Sequence, residues 1–253
     1  MSQALIGYTG FVGGNLLQQA QFQDLYNSTN IETIANRKFD RIVCAGAPAV
    51  KWLANREPEQ DWASINRLIE ALTLVSCRQF ILISTVDVYP VPTEVYEDSA
   101  IDVASLQPYG KHRFELEKFV QANFDCLIVR LPGLFGSGLK KNIIYDFMKQ
   151  NSVDKIHRDS VFQFYYLDHL WRDVETSLNH SLKCVNFATE PTSVAEVAGE
   201  AFGFEFSNQF SVPARYDMRT RYGSLFGSSI NGYLYNKAQV LSEIKDFVTR
   251  SAV

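Results

Sequence analysis

Hydrophobic positions in this chain follow two rhythms. Short apolar runs such as Ala4-Leu5-Ile6, Ile42-Val43-Cys44, Ile81-Leu82-Ile83 and Cys126-Leu127-Ile128-Val129 are continuous rather than alternating. That is the pattern of strands buried on both faces of a parallel sheet. Between the runs lie longer stretches of helical period; Ile65, Leu68, Ile69, Leu72 and Val75 recur at three- and four-residue steps and define one buried helix face. The two rhythms predict strands over 3–7, 23–27, 40–46, 79–85, 125–131 and 183–189. They predict helices over 16–21, 61–76, 109–123 and 193–202. Strands that alternate with helices predict an α/β fold, a doubly wound parallel sheet covered by helices on both sides.

The rhythm is uneven. The stretch from the first strand to Asp40 holds only a short strand at Leu25-Tyr26-Asn27-Ser28 and a brief helical segment, less chain than a full β-α-β-α-β half requires. From about residue 132 the pattern loosens: Gly133, Gly136 and Gly138, an aromatic run at 162–166 and a glycine-rich aromatic stretch at 222–235. The expected organisation is a single domain over 1–253, with a small C-terminal substrate-capping region drawn mainly from 133–180 and 203–235. No internal repeat or low-complexity linker divides it.

Composition narrows the partners. With 253 residues and 46% hydrophobic content the chain can bury a sizeable core. A net charge of −4 and a pI near 5.6 offer no broad basic surface, so no nucleic-acid or anionic-membrane partner is expected. Ala4-Leu5-Ile6 follows the start without a basic segment or long apolar core, which predicts neither a secretory signal nor a membrane span and makes the cytoplasm the expected compartment. Cys44, Cys77, Cys126 and Cys184 form no CxxC pair and read as reduced, mostly buried thiols. His112, His157, His169 and His180 are scattered without ligand spacing, so no metal is expected.

The strongest local signal is Gly7-Tyr8-Thr9-Gly10-Phe11-Val12-Gly13, placed between the first strand and a helix start. Such a turn suits a pyrophosphate: Gly7 permits the tight turn, Gly10 lets backbone approach the phosphates, and Gly13 lets helix and strand pack closely. Thr9, Phe11 and Val12 line the same turn. The implied fold is Rossmann-type and the implied ligand a dinucleotide, NAD or NADP. Where an acidic residue would normally take the adenosine ribose, the second strand ends in Asn27, Ser28, Thr29 and Asn30, with Arg37 and Lys38 further on. Neutral donors oppose a 2′-phosphate less than a carboxylate would, which tips the choice toward NADP.

Further along, several stretches fall in a definite order: the glycine turn; Ala45-Gly46-Ala47; Ser84-Thr85-Val86-Asp87-Val88-Tyr89; Tyr109-Gly110-Lys111-His112-Arg113; and Arg130-Leu131-Pro132-Gly133-Leu134-Phe135-Gly136. In this order they resemble the extended short-chain dehydrogenase/reductase superfamily, which contains nucleotide-sugar epimerases, dehydratases and dehydrorhamnose reductases. The resemblance covers nearly the whole chain, and the abbreviated early region is most similar to the dehydrorhamnose-reductase branch. It implies an NAD(P)-dependent enzyme acting on a nucleotide-linked sugar. Tyr109 would be the acid/base and Thr85 the residue that hydrogen-bonds the substrate oxygen. Ala45, Gly46, Ala47, Leu131 and Pro132 would join the cofactor site. The family carries a lysine four residues after its tyrosine, to lower the tyrosine's pKa and hold the nicotinamide ribose. Here that position is Arg113, which supplies a charge but not the geometry of an ammonium. Lys111 would point elsewhere along the helix. Ser84 reads as packing or a supporting hydrogen bond.

Lys51 and Trp52, in the loop leaving a central strand, either contact substrate or serve as a helix-start lysine and a packing tryptophan. Asn186 and Phe187 end a late strand. Arg215, Arg219 and Arg221 lie where related enzymes bind a nucleotide diphosphate, or else are solvated. Phe114, Leu116, Phe119 and Val120 face either the chain's own sheet or a second subunit in a homodimer. Two other functions stay open: a catalytically weak NAD(P)-binding protein acting as redox sensor or assembly subunit, and a structural protein with an unused glycine turn.

Overall fold

The computed structural model describes residues 2–251. Its centre is a six-stranded parallel sheet. The first four strands are β1 (Gln3–Ile6), β2 (Asp24–Tyr26), β3 (Lys38–Cys44) and β4 (Ser76–Thr85), and Cys126–Leu131 and Cys184–Asn186 complete it. In space β2 is the edge, followed by β1, β3, β4, Cys126–Leu131 and Cys184–Asn186. The chain therefore steps from β1 outward to β2 and returns on the other side of β1 as β3. That reversal opens the crevice at the carboxyl ends of β1 and β3, where open α/β sheets bind ligands. Only the single-turn 3-10 helix Ile31–Ile34 separates β2 from β3, which accounts for the compressed segment.

Burial on both faces explains the unbroken apolar runs. Ala4, Ile6, Ile42, Cys44, Phe80, Leu82 and Ile128 share one core with Ile65, Leu68 and Leu72 of α3 (Pro58–Leu72) and Leu116 and Val120 of α4 (Pro108–Asn123). The intervening Leu5, Val43, Ile81, Leu127 and Val129 are also fully buried. In α4, Leu116 and Val120 are thus committed to the chain's own sheet, with Phe119 packed alongside.

Two boundaries differ from the sequence expectation. The first helix, α1, begins at Phe11 rather than Leu16 and ends at Gln19. Gly13 and Gly14 lower helix propensity in its first turn and hide the start from any periodicity argument. Ser76, expected at a helix end, opens β4, because α3 stops at Leu72 and the strand extends outward to pair with Lys38 of β3. All four cysteines are free thiols. Among the described residues no helix is long and apolar enough to cross a membrane.

The chain divides into two compact units. The first comprises 1–91, 99–130 and 171–185 and holds most of the sheet with α1, α3 and α4. The second comprises 92–98, 131–170 and 186–253. Its strand Gly133–Phe135 pairs in parallel with Phe164–Tyr166, and Phe135 stacks on Tyr166 at 4.7 Å between ring centroids. Its helix Val194–Phe202 opens with a capping box between Ser193 and Glu196. Gln163, 1% exposed, donates to the carbonyls of Thr189 and Met218 and accepts from the Met218 amide, so this aromatic strand is pinned by a side-chain amide.

Candidate active site

The glycine turn is tightly constrained on one side and open on the other. Gly7 has φ +86°, and a Cβ there would stand 2.3 Å from the Ala45 carbonyl oxygen, so the β1 exit lies directly against the β3 exit. At Gly13 a Cβ would come within 2.1 Å of the Gly7 carbonyl oxygen, so helix and turn are also in backbone contact. Gly10 is different. Its φ is −81°, and an added Cβ would meet only the Gly7 oxygen, at 3.3 Å. It is exposed and caps α1 without any side-chain hydrogen bond. Backbone conformation does not demand a glycine at this position, and a side chain there would need the Gly7 carbonyl to give by only a few tenths of an ångström. The cradle suits an anion approaching the positive end of α1, and the turn fits a dinucleotide pyrophosphate.

At the end of β2, Asn27 accepts from the amide and hydroxyl of Thr29 and donates to the Tyr8 hydroxyl at 3.3 Å. It therefore shapes the loop and engages both donors of Thr29, while Ser28 is exposed. Arg37 and Lys38 do not join them. Lys38 opens β3 at the amino edge of the sheet, away from the strand ends that form the crevice. The Arg37 guanidinium is held by Asp24 at 2.8 Å and donates to the Tyr26 hydroxyl at 2.9 Å.

Thr85 is the last residue of β4, and Tyr109 sits in the first turn of α4. The Thr85 side chain lies close enough to the Tyr109 phenol to bring its pKa down. Gly110 brings them together: a Cβ on it would lie 1.9 Å from the Asp87 carbonyl oxygen, so α4 touches the chain immediately past β4. Asp87 is anchored there as well, since its amide donates to Thr85 Oγ1 at 3.2 Å. A short helix, α2 (Lys51–Arg56), supplies two more groups. Asn55 accepts the Tyr109 amide at 2.9 Å, and the Lys51 ammonium meets the Asp87 carboxylate at 2.7 Å. Trp52 is 63% exposed, with the Arg56 guanidinium over its ring.

Arg113 is 3% exposed and takes up a structural position. It grips the Asp61 carboxylate of α3 with both terminal nitrogens, at 2.5 and 2.8 Å, and donates to the carbonyls of Pro48 and Tyr109. Its guanidinium carbon stacks 3.9 Å from the centre of the Tyr109 ring. His112 also bonds Asp61, at 2.7 Å. Burial alone would raise the pKa of Asp61, but the hydrogen bonds from Arg113 and His112 outweigh it and hold the carboxyl below its ordinary value. For Tyr109 the balance is reversed. Burial pushes the phenol up and Asp87 adds to this, more than Arg113, Thr85 and Lys51 bring it down. Tyr109 is therefore protonated at neutral pH.

Behind the site a second buried pair joins α4 to the sheet. Glu117, fully buried, binds Arg130 at 2.7 Å and accepts from Ser84 at 2.5 Å, and Arg130 donates to the Tyr89 hydroxyl at 2.6 Å. Ser84 is accordingly a supporting residue. Reasoning from sequence missed Asp61, Asn55 and Asp87. Asp87 stands in a quoted motif, but no spacing rule links Asn55 or Asp61 to Tyr109.

In the second unit, Arg219 pairs with Asp217 at 2.8 Å and Glu94 at 2.7 Å, and Arg221 reaches Asp98 at 3.3 Å and lies over Tyr96. Arg215 is exposed. Asn186 donates its side-chain amide to the Arg219 carbonyl, and Phe187 stacks on Tyr165. Leu131 is the last residue of its strand and Pro132 follows it. Among the described residues no three His, Cys, Asp or Glu side chains are grouped to hold a metal ion.

Residues 21–160 match the model of the NAD dependent epimerase/dehydratase family, more than half of the chain. The chain belongs to that family. The matched span contains Thr85, Tyr109 and Arg113, whereas the glycine turn lies before it. No curated protein matches the chain. Solved structures of similar fold include a dTDP-4-dehydrorhamnose reductase from Clostridium acetobutylicum, at 16% identity and a TM-score of 0.75 over 100% of both chains. Others are a UDP-glucose 4-epimerase from Thermotoga maritima with UDP-glucose (16%, 0.70, 98% of both chains) and the RMD protein of Pseudomonas aeruginosa complexed with NADPH (17%, 0.70, 99% of this chain and 100% of that one). At such identities the likeness is one of fold, and this epimerase/dehydratase family member shares the Rossmann architecture with all three.

Proposed function

We propose that the chain is an NAD(P)-dependent oxidoreductase or epimerase acting on a nucleotide-linked sugar, with NADP preferred. The observation that carries this reading is the placement of Tyr109 beside Thr85, with Gly110 packing the start of α4 against the chain just past the carboxyl end of β4, in the same sheet whose first turn carries Gly7, Gly10 and Gly13. Gly7, Thr9, Gly10, Phe11, Val12 and Gly13 would hold the pyrophosphate. Asn27 and Ser28 would frame the adenosine end, and Ala45, Gly46, Ala47, Leu131 and Pro132 would line the remainder. With no carboxylate among the Asn27–Asn30 side chains, a 2′-phosphate meets no like charge there.

When bound, the nicotinamide would supply or accept the hydride. In the reducing direction Thr85 holds the substrate carbonyl oxygen, and Tyr109 gives its phenolic proton to that oxygen as hydride reaches the carbon, producing an alcohol. The protonated state of Tyr109 favours this direction. Lys51 and Trp52 would meet the substrate beside the site, while Arg219 and Arg221 would have to exchange carboxylates for phosphate to do so.

Calorimetric titration with NADPH and NADH, followed by turnover with a panel of nucleotide sugars, tests the proposal. Tyr109→Phe is expected to bind cofactor as the parent does while turnover falls by about 10²–10⁴-fold. A folded protein that binds neither dinucleotide would sink it. One observation favours a second reading, a dinucleotide-binding protein with little turnover: the charge of Arg113 is already engaged by Asp61. Tight cofactor binding, with no sugar turned over and no effect of Tyr109→Phe, would decide for that reading.

A further inference from the structure

Two buried arginine–carboxylate pairs meet on α4, and they tie the helix to different parts of the chain. Arg113 reaches Asp61 of α3 and the Pro48 carbonyl. Glu117, one turn further along, reaches the strand that ends in Thr85. Its carboxylate is fully buried and accepts from Ser84 Oγ at 2.5 Å and from Arg130 at 2.7 and 3.1 Å. Arg130, 4% exposed, donates from its other terminal nitrogen to the Tyr89 hydroxyl at 2.6 Å and lies 5.0 Å from the centre of that ring. Ser84 immediately precedes Thr85 and Tyr89 ends the turn that follows it, so one carboxylate on α4 fixes the chain on both sides of Thr85. Thr85 caps that turn, its hydroxyl accepting the Asp87 amide at 3.2 Å, and Gly110 of α4 packs on the Asp87 carbonyl.

We propose that Glu117 is a positioning residue of the candidate site: through Ser84 on one side, and through Arg130 and Tyr89 on the other, it holds Thr85 in a fixed place relative to Tyr109 at the start of the same helix. The proposal rests on Thr85 and Tyr109 being the working pair. A buried ion pair contributes little net stability over apolar residues of the same volume, whereas its charge-assisted hydrogen bonds fix direction and distance. Ser84 is 8% and Tyr89 3% exposed, so the groups at both ends of the network are shielded from water that would compete for these bonds. Tyr109 and Glu117 belong to one continuous helix, and Ser84 and Thr85 are consecutive residues of one strand. A shift of Glu117 against Ser84 is therefore also a shift of Tyr109 against Thr85. Arg113 cannot do this work, because its bonds run to α3, to Pro48 and to its own helix.

The test is a double-mutant cycle on the whole protein, without cofactor or substrate, carrying difluorotyrosine at position 109 so that the phenol ionises in an accessible pH range, followed by fluorine NMR. In the parent, Thr85→Val should raise the midpoint by about half to one pH unit, the worth of one hydrogen bond to the phenolate. Ser84→Ala combined with Tyr89→Phe keeps the Glu117–Arg130 pair and removes the bonds that reach outward from it. In that background the effect of Thr85→Val should largely disappear, and Glu117→Gln should abolish it in the same way. Arg113, Asp87 and Lys51, the charged groups that act on the phenol, are the same in every arm, so their contributions cancel. Circular dichroism confirms that each variant is folded, and the Ser84 and Tyr89 variant carries the test by itself if Glu117→Gln does not fold. A variant that is less stable yet keeps the full effect of Thr85→Val overturns the proposal, because Glu117 would then hold the fold and not the pair. A parent in which Thr85→Val moves nothing overturns it too, together with the pairing of Thr85 and Tyr109 itself, so the two failures are told apart by the parent alone.

Discussion

At the glycine turn the geometry is made by backbone, whereas at the tyrosine end of the same unit it is made by side chains, and the two ends differ in what they tolerate. Gly7 and Gly13 are glycines because carbonyl oxygens stand 2.3 and 2.1 Å from where a Cβ would be. No other residue type meets that condition. Around Tyr109 the requirement is for a charge balance, and different residues can meet it. The chain sets Arg113 over the Tyr109 ring, pairs it with Asp61 of α3, and brings Asn55 of α2 to the Tyr109 amide. A backbone constraint admits one residue type, while an electrostatic one can be met by groups from separate elements.

Breaking the sealed pair should have the largest effect. Asp61→Asn leaves Arg113 buried without its carboxylate and is expected to cost about 3–5 kcal/mol, read from urea denaturation. A cost near zero would mean that the arginine escapes to solvent. Gly7→Ala should cost about 1–3 kcal/mol or more, from a left-handed φ and a backbone clash together. Gly10→Asp should separate ligand from fold. Its denaturation midpoint is expected to stay close to the parent's, while calorimetry should show dinucleotide affinity reduced by on the order of 100-fold, as a carboxylate opposes the pyrophosphate. Large destabilisation in that variant would erase the contrast between Gly10 and its two neighbours.

The pH dependence sharpens the comparison by a smaller amount. Asp61 has a lower pKa folded than unfolded, so the unfolded chain binds more protons between the two values. Its stabilising contribution is complete above the ordinary carboxyl pKa, near 4, and is lost as pH falls through the depressed folded value. Asp61→Asn should lack that part of the acid-side slope. An identical slope in parent and variant would show that other carboxylates carry it.

Local chemistry was readable wherever it was written in consecutive residues. The apolar runs placed the strands of the sheet to within a few residues at each end, and the glycine turn, Thr85 and Tyr109 were all named from motifs. The start of α1 was missed because Gly13 and Gly14 suppress the very signal that marks a helix. That Lys38 opens β3 at the amino edge of the sheet and Arg37 pairs with Asp24 was not readable, because distance along the chain says nothing about which end of β3 a residue occupies.

The sequence by itself determined the α/β alternation, the turn between β1 and α1, and the family to which the chain belongs, because each depends on periodicity or on a motif of neighbouring residues. Only the tertiary structure decided that Arg113 is held by Asp61 and that Lys51 meets Asp87 beside the start of α4. The reason is physical: a proton's affinity depends on charges within a few ångströms in space, and the chain brings them together from four separate elements.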